Sequence, residues 1–137
     1  MPPCPSIPVL VIGGSQPDVE FMTEVCALSG WEPSFTVVRE GSPAFALVAR
    51  CAEGGEPPPR LILLDRDALG GRTHELLVFI RERSGMAGVP VVVLTDIPDE
   101  RERERSLSLG ASAHVLKPIR LDDAERLVRQ WRSLVPA

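Results

Sequence analysis

Four polar residues directly follow apolar runs in this chain: Asp65 after LILL, Thr95 and Asp96 after VVVL, and, one strand later, Lys117 after HVL. A carboxylate, a hydroxyl and an ammonium gathered at strand ends can neutralise one another, bind an anion, or accept a group in transfer. A carboxylate closing a run as apolar as LILL is costly unless it is solvated or paired, and Lys117 is the evident partner. Spacing alone leaves two readings open: a salt bridge that closes the top of a sheet, and a reactive site. The first apolar run ends differently, VLVI (9–12) leading into Gly13-Gly14. A strand that passes through two glycines into a helix offers free amides and the positive end of a helix dipole to a phosphate. The chain has no G-x-G-x-x-G, no G-K-[ST] and no acidic residue placed for a ribose, so GGSQP alone carries the nucleotide reading.

These residues need elements to position them. The runs VLVI (9–12), LILL (61–64), VVVL (91–94) and HVL (114–116) each fit a strand buried on both faces, whereas FTVV (35–38), more polar at its ends, suits a sheet edge. Between them lie amphipathic stretches. One spans 17–30, from Pro17 to Gly30; the next spans 42–52 and opens on Ser42-Pro43, a cap followed by proline at the first helical position. The spacing predicts a third helix from Thr73 to Arg83 with Leu76, Leu77 and Ile80 inward, a fourth over 97–109 and a fifth over 121–134. Strand and helix alternating five times predict a parallel sheet covered on both faces, with ligands bound beyond the carboxyl ends of the strands. EGGEPPP (53–59) reads as a surface loop, and DERERER (99–105) as a solvated helix face with weak internal ion pairs.

Bulk properties narrow the function classes. The 137 residues, 44% hydrophobic and 25% charged, suit one domain over 1–137 with its core at about 8–134. A net charge of −4, with basic residues interleaved among acids, gives no footprint for nucleic acid. The start, MPPCPSIPVLVIGG, lacks a basic region and a membrane-length apolar run, so neither a signal peptide nor an anchor is expected and a cytoplasmic location is. Cys4, Cys26 and Cys51 form no C-x-x-C pair and read as small hydrophobes, outside any disulfide or zinc site.

LILLD (61–65), VPVVVLTD (89–96) and GASAHVLKP (110–118), together with VLVIGGSQPDVEFM near the start, resemble the signatures of the bacterial two-component response-regulator receiver domain. The single-domain chemotaxis type is closest in size, and the likeness runs from about Pro8 to Leu134. The resemblance implies a flavodoxin-like, doubly wound α/β fold, five parallel strands in the order 2-1-3-4-5 with five helices. It also implies roles: Asp65 as acceptor of a phosphoryl group from a histidine kinase, Thr95 as the hydroxyl contacting that group, and Lys117 as its ammonium partner. Asp67 falls where a backbone carbonyl helps bind magnesium, and His114 where an aromatic ring turns inward as a switch. Simpler readings stay open, with Thr95 as a strand-end cap and His114 as a partly exposed ring; His74 is expected at the surface.

The chain departs from the family at Gly13 and Gly14, which stand where an acidic pair holds Mg²⁺; small residues then fill the space the acids left. Magnesium prefers a near-octahedral oxygen set with one or two carboxylates, and with Asp65 alone assured no metal is expected beyond weak Mg²⁺. Phosphoryl transfer depends on positioning and on neutralising the migrating group, for which Lys117 alone is a poor substitute. Asp96 occupies a position where the family tends to have a small residue that admits the donor; at about 6 Å and an effective dielectric near 20, its charge opposes a phosphoryl group by roughly 3 kcal/mol. The expectation is an atypical stand-alone receiver, not an enzyme, that signals by protein contact with impaired phosphorylation of Asp65. Two alternatives remain: a working phospho-receiver in which Asp67, Asp96 or Asp18 supplies the missing ligands, and a nucleotide-binding module on the same fold. Expected partners are a sensor histidine kinase or another signalling protein, and a second copy through the face of the fourth helix, fifth strand and fifth helix; nucleic acid and membrane are not. Arg101, Arg105 and LDDAERLVRQWRSLV (121–135) belong to that face, where Trp131 either anchors an interface or caps the core.

Overall fold

The computed structural model describes residues 8–69, 71–118 and 120–135, with Ala68 described in its backbone only; Cys4 lies outside the described residues. The elements alternate as expected: β1 Pro8–Ile12, α1 Gln16–Leu28, β2 Ser34–Val38, α2 Gly41–Ala52, β3 Leu61–Asp65, α3 Thr73–Glu82, β4 Val91–Thr95, α4 Glu100–Ser108, β5 Ala113–Leu116 and α5 Leu121–Leu134. A 3₁₀ turn, Arg66–Leu69, follows β3 on the way to α3. The strands are parallel in the order β2-β1-β3-β4-β5, so β2 is an edge and β3 the centre. The fourth helix starts three residues later than the pattern at 97 predicts. Asp99 is its N-cap, its side chain accepting the amides of Arg101 and Glu102, which leaves Ile97 and Pro98 in the preceding loop.

Strand side chains alternate, so the sheet carries two apolar layers. Ile62, Leu64, Val91 and Val93 pack under α2 and α3 with Leu47, Leu76 and Ile80. Leu61, Leu63, Val92 and Leu94 pack on the other face with Val25, Val128 and Trp131. At 1% exposure Trp131 caps the core, and the interface reading of this residue falls. No helix among the described residues is long and apolar enough to cross a membrane.

Helix α4 is the one least docked by apolar side chains, its Leu107 being only partly buried against the core. Helices α1, α2, α3 and α5 each bury three or four residues, whereas α4, with the sequence ERERERSLS, buries only Ser106. The turn after α4 is held from outside by Arg81 of α3. Its guanidinium donates to the Gly110 carbonyl at 2.9 and 2.7 Å, to Ala87 O at 2.9 Å and to Val89 O at 2.7 Å.

Trp131→Ala is expected to lower unfolding stability by about 3–5 kcal/mol, the range for deleting a buried aromatic side chain. Chemical denaturation alongside sedimentation checks this; a loss below about 1 kcal/mol, or a change of oligomeric state at native stability, would return the indole to an interface.

Candidate functional site at the strand ends

Parallel register brings the strand ends level. Ile12 lies opposite Leu64, Asp65 opposite Leu94, and Thr95 opposite Leu116, so the residues that follow converge on one edge of the sheet. Lys117 is anchored there by its own amide, which donates to Thr95 O at 2.8 Å. Its ammonium lies 2.9 Å from Asp65 Oδ2, 3.5 Å from Asp96 Oδ2 and 3.8 Å from Asp67 Oδ2. Asp65 is buried and its other oxygen is engaged too, Oδ1 accepting the Asp67 amide at 2.9 Å. Asp67 closes the ring: Oδ2 accepts the Asp96 amide at 3.0 Å while Oδ1 lies 3.3 Å from Arg66 Nη1. The sequence-predicted residues Asp65, Asp67, Asp96 and Lys117 thus form one cluster, with Asp96 on its exposed rim.

Charge in this cluster is unbalanced, three carboxylates facing the Lys117 ammonium, with Arg66 at the margin. Burial works against the Lys117 ammonium, but the bond to Asp65 and the charges of Asp65, Asp96 and Asp67 outweigh it and raise its pKa above the ordinary value. Burial likewise pushes the Asp67 carboxyl up, yet the Asp96 amide, Arg66 and Lys117 together hold it below the usual carboxylate range.

Thr95 is buried, and its hydroxyl oxygen accepts the Ile97 amide at 3.2 Å, which is the strand-end cap arrangement. His114 is 7% exposed and neither ring nitrogen has a hydrogen-bond partner, which corrects the partly exposed ring. Burial lowers its pKa, against a smaller opposing pull from Glu102. His74 is not a free surface residue either: its Nε2 lies 3.2 Å from Glu102 Oε1, and Arg66 Nε donates to the same oxygen at 3.2 Å. Arg66 and Glu102 escape sequence reasoning. The only cue is a basic residue directly after the strand-end aspartate, and ERERER does not say which glutamate faces inward.

Gly13 and Gly14 adopt φ of +84° and +89°. A Cβ on Gly14 would meet Val11 and Val19 at an ordinary 4.0 Å, so lack of room does not require glycine there. The backbone does, because consecutive positive φ angles are cheap only for glycine. The expectation that small residues merely fill vacated space is corrected to a turn that demands them. The Gly13 amide donates to Val38 O at 2.7 Å. Val11, Phe21, Met22 and Leu63 make the adjoining cleft mostly apolar, with Asp18 at its edge. Both oxygens of Asp65 and of Asp67 already have partners, and among the described residues no group of three His, Cys, Asp or Glu is arranged to hold an ion. As arranged, these donors do not fit a divalent cation, which needs several free oxygens in near-octahedral geometry.

No protein-family model matches the chain. It is similar to the response regulator Rcp1 of Synechocystis, 28% identical over 126 residues, covering 91% of this chain and 86% of that protein. The crystal structure of the Mn(2+)-bound form of Rcp1 superimposes with a TM-score of 0.77 at 27% identity over 95% of this chain and 99% of the other. The phosphorylated cyanobacterial phytochrome response regulator RcpA shares the fold, with a TM-score of 0.78 at 24% identity over 97% of this chain and 100% of that one. The probable methanogenesis regulatory protein FilR2 of Methanothrix harundinacea is 29% identical over 96 residues; the match covers 70% of this chain and 62% of FilR2.

Removing the cation should harm the fold more than removing one of its partners. Lys117→Met is expected to cost about 2–3 kcal/mol, somewhat under the ~3–5 kcal/mol of a fully buried pair, because it leaves the buried Asp65 carboxylate without its cation beside two further carboxylates. Asp65→Asn should cost less, since Asp67 and Asp96 still face the ammonium; denaturant melts in which Asp65→Asn is the more damaging would refute this ordering. His114 makes a separate prediction. Its folded pKa lies below the unfolded value near 6.5, so below that pH the unfolded chain binds the extra proton and stability falls by up to about 1.4 kcal/mol per pH unit. His114→Phe should remove that part of the slope between pH 6.5 and 5, and parallel curves for variant and parent would contradict it.

Proposed function

We propose, from the premise that this chain is a response-regulator receiver domain of two-component signalling, that it signals through protein contacts governed by the Asp65–Lys117 pair and binds Mg²⁺ weakly at most. The observation that carries this is the state of the Asp65 carboxylate, whose two oxygens are occupied by Lys117 and the Asp67 amide beside a glycine turn that offers no side-chain oxygen. Asp65 is the phosphoacceptor position in this reading, with Thr95 and Lys117 contacting the phosphoryl group and His114 as the buried ring behind them. The partners are a histidine kinase or another signalling protein at the strand ends. A further partner, which can be a second copy, meets the face of α4, β5 and α5. Ile97 and Leu116, 54% and 50% exposed, line one groove on that face, which supports the placement. Chemistry on Asp65 would have a carboxylate oxygen attack phosphorus while the bond to the donor's leaving group breaks. The attacking oxygen must first leave Lys117 or the Asp67 amide, and Asp96 stands on the rim where a donor would approach.

A second reading has one observation in its favour. The Asp67 and Asp96 carboxylates lie within 3.8 and 3.5 Å of the Lys117 ammonium, so displacing that ammonium would leave three carboxylates around one point, a set of oxygens suited to a hard cation. That is the working phospho-receiver, and Rcp1 has been crystallised with Mn²⁺. The nucleotide-binding module draws less support, because the Gly13 amide is spent on Val38.

Incubation with acetyl phosphate and Mg²⁺ followed by intact mass measurement is expected to give no phosphoryl adduct, and Mg²⁺ alone no rise in the melting midpoint, since a ligand bound only by the native state would raise it. A stoichiometric adduct absent from Asp65→Asn, or a clear Mg²⁺-dependent rise, would establish the second reading instead.

A further inference from the structure

Helix α4 lacks the fully buried apolar stripe that docks the other helices, and charged contacts supplement the partly buried Leu107 and Leu109 in holding it. Glu102, the α4 glutamate turned toward the domain, accepts a hydrogen bond from Arg66 Nε at 3.2 Å on Oε1; His74 Nε2 lies 3.2 Å from the same oxygen but makes no hydrogen bond to it. The Glu102 side chain is 20% exposed, and Arg66 is 33% exposed. Arg66 is shared, because Nη1 of the same guanidinium lies 3.3 Å from Asp67 Oδ1. The Asp67 carboxylate in turn holds the Asp96 amide and stands 3.8 Å from Lys117. A continuous path of charged contacts therefore runs from the Asp65 cluster through Asp67 and Arg66 to α4. Among the described residues the apolar contribution of α4 on that side is small: Leu107 and the C-cap Leu109 pack against the core but are only partly buried, and Ser106 is buried with its hydroxyl unpartnered. The contact lines an open groove with Asp67 and Arg105, within reach of solvent ions.

We propose that Arg66 and Glu102 form an electrostatic latch on α4, and that Arg66, shared between Glu102 and Asp67, transmits the charge of the strand-end cluster to that helix. Negative charge added at the cluster, whether a phosphoryl group or an acidic side chain of a partner, draws the guanidinium toward Asp67 and off Glu102, and α4 loosens. Reduced charge at Asp67 commits Arg66 to Glu102 and tightens the helix. As regulation of the output face this rests on the reading of α4, β5 and α5 given above, but the latch itself is a property of the isolated chain. Positioning, not contact with a ligand, is the role assigned to Arg66.

Amide hydrogen exchange on the full chain tests this with neither phosphodonor nor partner present, so a failed latch is distinguishable from a wrongly assigned output face. The amides of 104–108 in α4 are the reporters and those of 128–131 in α5 the reference. Arg66→Met and Glu102→Gln are each expected to speed α4 exchange about tenfold, as for the loss of one charge-assisted contact, with α5 unchanged. The double variant should be no faster than the faster single one, because both remove the same bond. Asp67→Asn should slow α4 exchange, an effect that a purely structural role for Arg66 does not produce. Unchanged α4 exchange in both single variants, equal acceleration of α4 and α5, or acceleration by Asp67→Asn would each overturn the proposal.

Discussion

One ammonium facing three carboxylates is the constraint on which the rest of this domain's chemistry turns. Lys117 reaches Asp65, Asp96 and Asp67 from a backbone position pinned to Thr95, so the cation is supplied by the fold itself and arrives with β5. Desolvation would make Asp65 untenable at the end of a fully buried strand without it. The same contact occupies the oxygen that a metal or a phosphoryl donor would need. Structural necessity and chemical availability are in direct competition at one atom pair.

The two halves of the molecule are held by different forces. Around β3 and β4 the layers on both faces are apolar, close-packed and insensitive to charge. On the α4 side, where Leu107 and Leu109 are only partly buried, the fold relies more on polar contacts: Asp99 capping two amides, Arg81 gripping the turn at Gly110, and Glu102 paired with Arg66. Apolar burial is indifferent to a change of one charge nearby, whereas ion pairs respond to it through Coulomb's law. The element best able to respond to the strand-end cluster is thus also the one least secured by the core.

Much of this was legible in the sequence because the signals were local or periodic. Four apolar runs announce a parallel sheet, three of them closing on polar residues announce the convergence of Asp65, Thr95, Asp96 and Lys117, with Asp67 added only by the family resemblance, and the more polar FTVV belongs at the edge, where β2 lies. Features that depend on which side of an element faces the core were not legible. Periodicity places Trp131 on α5 without saying whether the indole turns to the core or to a partner. His114 was open between exposure and burial because a four-residue strand beside a polar helix carries little pattern. In ERERER every second residue is a glutamate, so the one that meets Arg66 is set by tertiary register alone. Gly13-Gly14 was misjudged as vacated space because φ angles leave no trace in composition.

That glycine turn also shapes how the sequence can drift. Two successive left-handed residues mean that either glycine is exchanged for a side-chain-bearing residue only if the β1–α1 connection takes a new course. A lineage connecting this chain to one with acids at both places must pass through an ill-fitting intermediate or rebuild the connection in one stroke. The two kinds of strand end are therefore separated by a strained step, and the flanking positions are held for other reasons, Ile12 by complete burial in the core and Ser15 by capping α1.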